Sequence, residues 1–174
     1  MTFEIHSDIT NRSMTVAARA MRRVLRRKRN IIWAIYGWSV FFINTLLLIP
    51  FDGEPFTLDA GTVISLLVEV MLLSALLFQD RFNGMIACKN TLAGTKAYHF
   101  VFGEDSYTII TEVVTSTFHY ELIDALAESQ DYIILLMKKR YAQPLDKRTL
   151  TGGTVEEFKR FLEEKTGKTF RRVK

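Results

Sequence analysis

The sequence predicts an α+β membrane protein: a two-helix transmembrane hairpin with a cytoplasmic antiparallel β-sheet domain, closed by a C-terminal α-helix. Three features carry that prediction. Residues 31–49 and 61–78 are nearly unbroken apolar runs, and at about 1.5 Å per residue each approaches the roughly 30 Å of a hydrocarbon core. Residues 98–137 divide into short runs rich in β-branched and aromatic side chains, separated by turn-prone residues. Residues 155–162 then set Val155, Phe158, Phe161 and Leu162 on one helical face.

Charge orients the hairpin. Residues 1–30 hold eight Lys or Arg against Glu4 and Asp8, whereas the connection 50–60 holds Asp52, Glu54 and Asp59 and no cation. Lys and Arg near a span stay on the cytoplasmic side, so both termini are expected inside and the connection outside, in a multi-pass protein of the cytoplasmic membrane. The first apolar run begins about thirty residues in and exceeds a signal-peptide core. It is expected to remain as an anchor. The predicted parts are therefore 1–30, a strand with a basic amphipathic helix; 31–79, the hairpin; and 80–174, the cytoplasmic domain, which residues 2–7 help to complete.

Within the first part, residues 2–7 alternate Phe3 and Ile5 with polar residues, as a strand does. Residues 13–29 repeat Met14, Ala17, Ala18, Met21, Val24 and Leu25 at spacings of three and four, with most of the arginines opposite. Past the second span, 82–97 reads as a mixed polar helix. Strands are expected at 98–102, 107–110, 113–118, 126–129 and 132–137. Thr151, Gly152 and Gly153 then break the chain, Thr154 and Glu157 have the spacing of a capping box, and Gly167 is placed to stop the last helix.

The soluble part resembles a known family. Phe100 to Asp105 (Phe-Val-Phe-Gly-Glu-Asp), Tyr120 to Asp124, Glu128 to Leu135, Asp146 to Leu150 and Val155 to Phe158 are similar to the C-terminal domain of the YcxB-like bacterial membrane proteins; Asp146 stands where that family usually has proline. The resemblance implies a two-span hairpin inserted near the start of a small pleckstrin-homology-like domain, in a bacterial inner membrane. It implies no catalytic residue.

Three sets of residues are singled out. Glu69 lies near the middle of the second span, where a carboxyl group is costly and needs a partner; Ser39 and Asn44 on the other span are the candidates, across the hairpin or between two copies. Its first reading is polar glue for helix pairing, with partner docking and ion movement as alternatives. Arg19, Arg22, Arg23, Arg26, Arg27, Lys28 and Arg29 set topology, and are read as contacts to anionic head groups while Met14, Met21 and Leu25 dip into the interface. Lys138, Lys139, Arg140, Lys147 and Arg148 are read as one surface patch for a phosphate or head group, against the plainer reading of a solvated turn.

Other chemistry finds little support. The positive balance is concentrated in the first thirty residues, with eight cations against two acids, whereas 99–174 hold twelve cations and twelve acids. A general nucleic-acid field is not indicated. Cys88 is the only cysteine, so neither an intrachain disulfide nor a cysteine metal cluster is available. His6, His99 and His119 lack metal-ligand spacing, and Thr151 to Thr154 lacks the length and lysine of a phosphate loop. The expectation is a non-enzymatic binding or scaffold protein without metal or cofactor, whose partners are membrane lipids and another membrane or membrane-proximal protein, with self-association through the spans also open. The alternative is an immunity or regulatory protein acting against a membrane-targeting toxin or partner; a small transport component comes third.

Overall fold

The computed structural model describes residues 2–49, 58–92, 94–138 and 140–173. In chain order its elements are β1 (Phe3–Asp8), α1 (Asn11–Ala20), a π-helical turn (Met21–Leu25), α2 (Arg27–Leu47), α3 (Ala60–Lys89), β2 (Ala97–Phe102), β3 (Ser106–Ile110), β4 (Thr115–His119), β5 (Ile123–Glu128), β6 (Tyr132–Met137), β7 (Tyr141–Asp146), α4 (Val155–Thr166) and β8 (Phe170–Arg172). Two compact units result: residues 27–79, and residues 1–26 together with 80–174.

In the first unit, α2 and α3 are each long and apolar enough to cross a membrane. Large side chains face outward along both, among them Ile32, Trp33, Phe42, Leu47, Leu67 and Met71. Where the two helices meet, a Cβ added at Gly37 would lie 2.7 Å from Leu76 Cδ2. Most of the expected outer connection, residues 50–57, lies outside the described residues.

The second unit is built from two four-stranded sheets, ordered β1-β2-β3-β4 and β7-β6-β5-β8. Alternation in β1 points Phe3 and Ile5 inward, opposite Phe102 and Phe100 of β2. These four, with Tyr107, share a core with Leu126, Ile133 and Leu135 of the other sheet and with Phe158 and Leu162 of α4. The α4 helix wedges in through Phe158, whose ring lies 4.8 Å from Phe102 and 5.2 Å from Phe3. Its ends follow the sequence expectation: Thr154 and Glu157 form the capping box, and Gly167 takes the left-handed conformation at φ 64°. Gly152 sits at φ +88°, where a Cβ would come within 2.2 Å of the Thr2 carbonyl oxygen.

All six residues of β6 are buried, because both faces of its sheet are covered. Ile133, Leu135 and Met137 face the common core. Tyr132, Ile134 and Leu136 face Ala17, Ala20 and Met21 of the N-terminal helix. This corrects the interfacial reading of that helix, since its apolar stripe covers a sheet and is not free to enter lipid.

Three further differences from expectation follow from packing. The single meander is two sheets, and β8 joins β5 in parallel. Strand β7 was not anticipated; it is an edge strand, which is why it tolerates Pro144. The second span, expected to end by residue 79 with a further helix at 82–97, continues as one helix, α3, to Lys89, with Asp80 and Gly84 buried.

Candidate functional site

The N-terminal helix and the distal turns of α3 hold one corner of the second unit together. Asp80, Gly84 and Cys88 recur every four residues and so share a face of α3. Arg22 donates to both oxygens of the buried Asp80 carboxylate, at 2.7 and 2.5 Å, and Arg19 adds a longer ion pair at 3.6 Å. One turn on, a Cβ at Gly84 would lie 2.5 Å from the backbone nitrogen of Thr15. The Cys88 thiol reaches the carbonyl of Ile9 at 3.9 Å.

Beside this corner, where β1 ends and β7 begins, lies a cleft of about 660 Å³. Phe100, Phe118, Met137 and Ala142 line it, Met14 and Ala87 come in from the two helices, and Arg140 and Tyr141 stand at its strand-turn side. Ser7 donates to the Pro144 carbonyl at 2.7 Å and so closes the edge of β7 against β1. The Tyr107 hydroxyl lies 3.0 Å from Gln143 Oε1 and 3.1 Å from Met137 Sδ. Burial, with the neighbouring Tyr120 adding to it, pushes the Tyr107 phenol above its usual range; it stays neutral at physiological pH.

The residues singled out in the sequence are distributed differently from the expectation. Of the basic set, Arg19 and Arg22 turn inward to Asp80, because a buried carboxylate requires countercharge. Arg23, Arg27, Lys28 and Arg29 are exposed, and Arg26 is half-buried. In the unit of α2 and α3, Glu69 accepts a hydrogen bond from Thr45, a residue the sequence reading did not name. Ser39 is exposed there, and the Asn44 side-chain nitrogen is buried with no hydrogen-bond partner among the described residues.

Among the described members of the five-cation patch, Lys138 and Arg140 precede β7 while Lys147 and Arg148 follow it. Lys147 is drawn in to Glu128 at 2.6 Å and to the Ser129 carbonyl at 2.7 Å. Arg148 binds Asp146 through two hydrogen bonds, at 2.9 and 2.6 Å. Lys138 is exposed at φ 46°, and Lys139 lies outside the described residues. Arg140 is exposed beside the cleft, and its side chain makes no ion pair among the described residues. The apolar lining was missed because five strands and two helices supply it; the alternation of Tyr98 and Phe100 was its only local signal.

Residues 102–162 match the family described as YcxB-like protein. The match begins at the last residue of β2 and runs into α4. No curated protein and no solved structure matches the chain.

Proposed function

From this YcxB-like match we propose that the protein is a membrane-anchored, non-enzymatic binding protein, which presents a pleckstrin-homology-like domain at the cytoplasmic face of a bacterial inner membrane. One observation carries the reading: the outward faces of α2 and α3 are made of large hydrophobic side chains, with Leu47 79% and Met71 72% exposed. Water would penalise that surface by about 25 cal/mol per Å². Lipid removes the penalty, and the two helices then act as an anchor.

The cations support the orientation. Arg23 in the π-helical turn and Arg27, Lys28 and Arg29 at the start of α2 are exposed, as expected of a cytoplasmic flank, and each adds about 1 kcal/mol of attraction to an anionic leaflet. The pleckstrin-homology-like reading rests on the family resemblance, and two sheets that share a core with α4 are compatible with it. It identifies no ligand. Anchoring raises the effective concentration of the domain for a membrane or membrane-proximal partner without any added contact.

The test uses single cysteines in a Cys88→Ser background. Leu58→Cys is expected to react with an impermeant maleimide on intact spheroplasts, and Val113→Cys only after permeabilisation. The protein should stay in the pellet after alkaline carbonate washing. Release by carbonate, or labelling of Val113→Cys in intact spheroplasts, overturns the reading.

A further inference from the structure

We propose that the cleft between β1 and β7 binds a single-chain amphiphile with an anionic head, its acyl chain in the apolar interior and its carboxylate or phosphate on Arg140. The proposal rests on the membrane-anchored reading, because the bilayer is the source of such a molecule.

Size and lining fit first. About 660 Å³ falls inside the roughly 300–1,000 Å³ of sites that enclose small organic ligands, which are mostly apolar with a few fixed polar groups. Phe100, Phe118, Pro144 and Ala142 give a dry wall, and Met14 and Met137 add thioethers that adapt to a flexible chain.

Charge selects the head. In the stretch 138–148, Lys147 is ion-paired with Glu128 and Arg148 with Asp146. Arg140 is left without a carboxylate among the described residues, beside the exposed Lys138. Its planar guanidinium suits a two-oxygen acceptor. Asp8 also lines the cleft and disfavours an anion at the β1 end. The head is therefore assigned to the Arg140 end.

Peptide is the weaker candidate for this cleft. A peptide added as a strand needs free backbone groups along an edge. Pro144 has no N–H to offer, and its carbonyl already accepts from Ser7.

The experiment places full-length protein in phosphatidylcholine nanodiscs with diazirine-bearing palmitate as the probe and the matching palmityl alcohol as the neutral control. Palmitate should crosslink to peptides carrying Phe118 and Met137 at least tenfold more than the alcohol. Arg140→Gln, at an exposed position, should lower that labelling at least fivefold, and Ala142→Trp, which fills the cleft, should abolish it. Competition by unlabelled palmitate and by lysophosphatidic acid distinguishes a carboxylate head from a phosphate head. Equal labelling by acid and alcohol, indifference to Arg140→Gln, or crosslinks confined to 31–47 and 60–79 overturns the proposal. In that last case, with the protein still resistant to carbonate, the anchored reading survives and the cleft does not. If carbonate releases the protein while palmitate still labels the cleft, the cleft stands and the anchor falls.

Discussion

Arg22 holds Asp80 by both carboxylate oxygens, across 58 residues of sequence, and this clamp joins the π-helical turn after α1 to the distal part of α3. Asp80 is only 8% exposed, and the guanidinium supplies the countercharge beside it. The bond to Asp80, opposed by burial, raises the Arg22 pKa further above its ordinary value. Gly84, one turn along, lets the helices approach closely enough for the clamp to close.

Asp80→Ala is therefore expected to leave two cations facing an apolar corner and to cost about 3 kcal/mol, in the range for breaking a buried pair. Asp80→Ala combined with Arg22→Met should recover a substantial part, because the stranded charge is removed as well. Denaturation of the full-length chain in detergent, followed by circular dichroism, checks both. An Asp80→Ala chain as stable as the parent, or a double variant weaker than the single, contradicts the clamp.

The same corner shows where sequence reasoning succeeded and stopped. The α4 helix was legible to its ends, because capping box, apolar face and stop glycine are local signals that agree. The stripe on α1 was legible as apolar, but a lipid interface and a sheet face both select for an apolar stripe, and only the fold puts Ala17 and Met21 on Ile134 and Leu136. Asp80, Gly84 and Cys88 form a docking stripe of polar and small residues, which hydrophobic periodicity does not detect. Strand β8 has three residues and exists by pairing with Leu126, Ala127 and Glu128. Of the candidate site, Arg140 was visible as a cation; its separation from Lys147 and Arg148 was not, since their carboxylates are set by packing and turn geometry.

Those carboxylates give a pH prediction. Burial opposes ionisation of Glu128, yet hydrogen bonds from Lys147 and Lys159 outweigh it and hold the carboxyl below its usual range. A group with a lower pKa in the folded chain contributes above its unfolded value, near 4.3, and loses that contribution as pH falls through the folded value. At pH 7, Glu128→Gln should cost about 1–2 kcal/mol. The gap between parent and variant should narrow from about pH 5 downward. Lys159 has the opposite sign: its bond to Glu128, against burial, raises its pKa, so its contribution is lost only in strong alkali. Unfolding midpoints of parent and Glu128→Gln between pH 3 and 8 test this, and a constant gap across that range rules it out.

Within the unit of α2 and α3, the Thr45 hydroxyl lies 2.9 Å from the Phe41 carbonyl and also meets Glu69. This polar contact joins the two long helices. Gln keeps an oxygen and gains an amide at nearly the same reach, so Glu69→Gln should leave helix pairing within about 0.5 kcal/mol of the parent. Glu69→Leu removes the bond and should cost about 0.6–2 kcal/mol, the range measured for hydrogen bonds between helices in lipid. Thr45→Val leaves the Glu69 carboxyl without this donor and should cost at least as much as Glu69→Leu, and the two together should cost no more than Thr45→Val alone. Unfolding of the full-length chain by titration of dodecyl sulfate into mixed micelles reads all four. If Gln damages pairing as much as Leu, the carboxyl charge matters and the hydrogen bond does not explain Glu69.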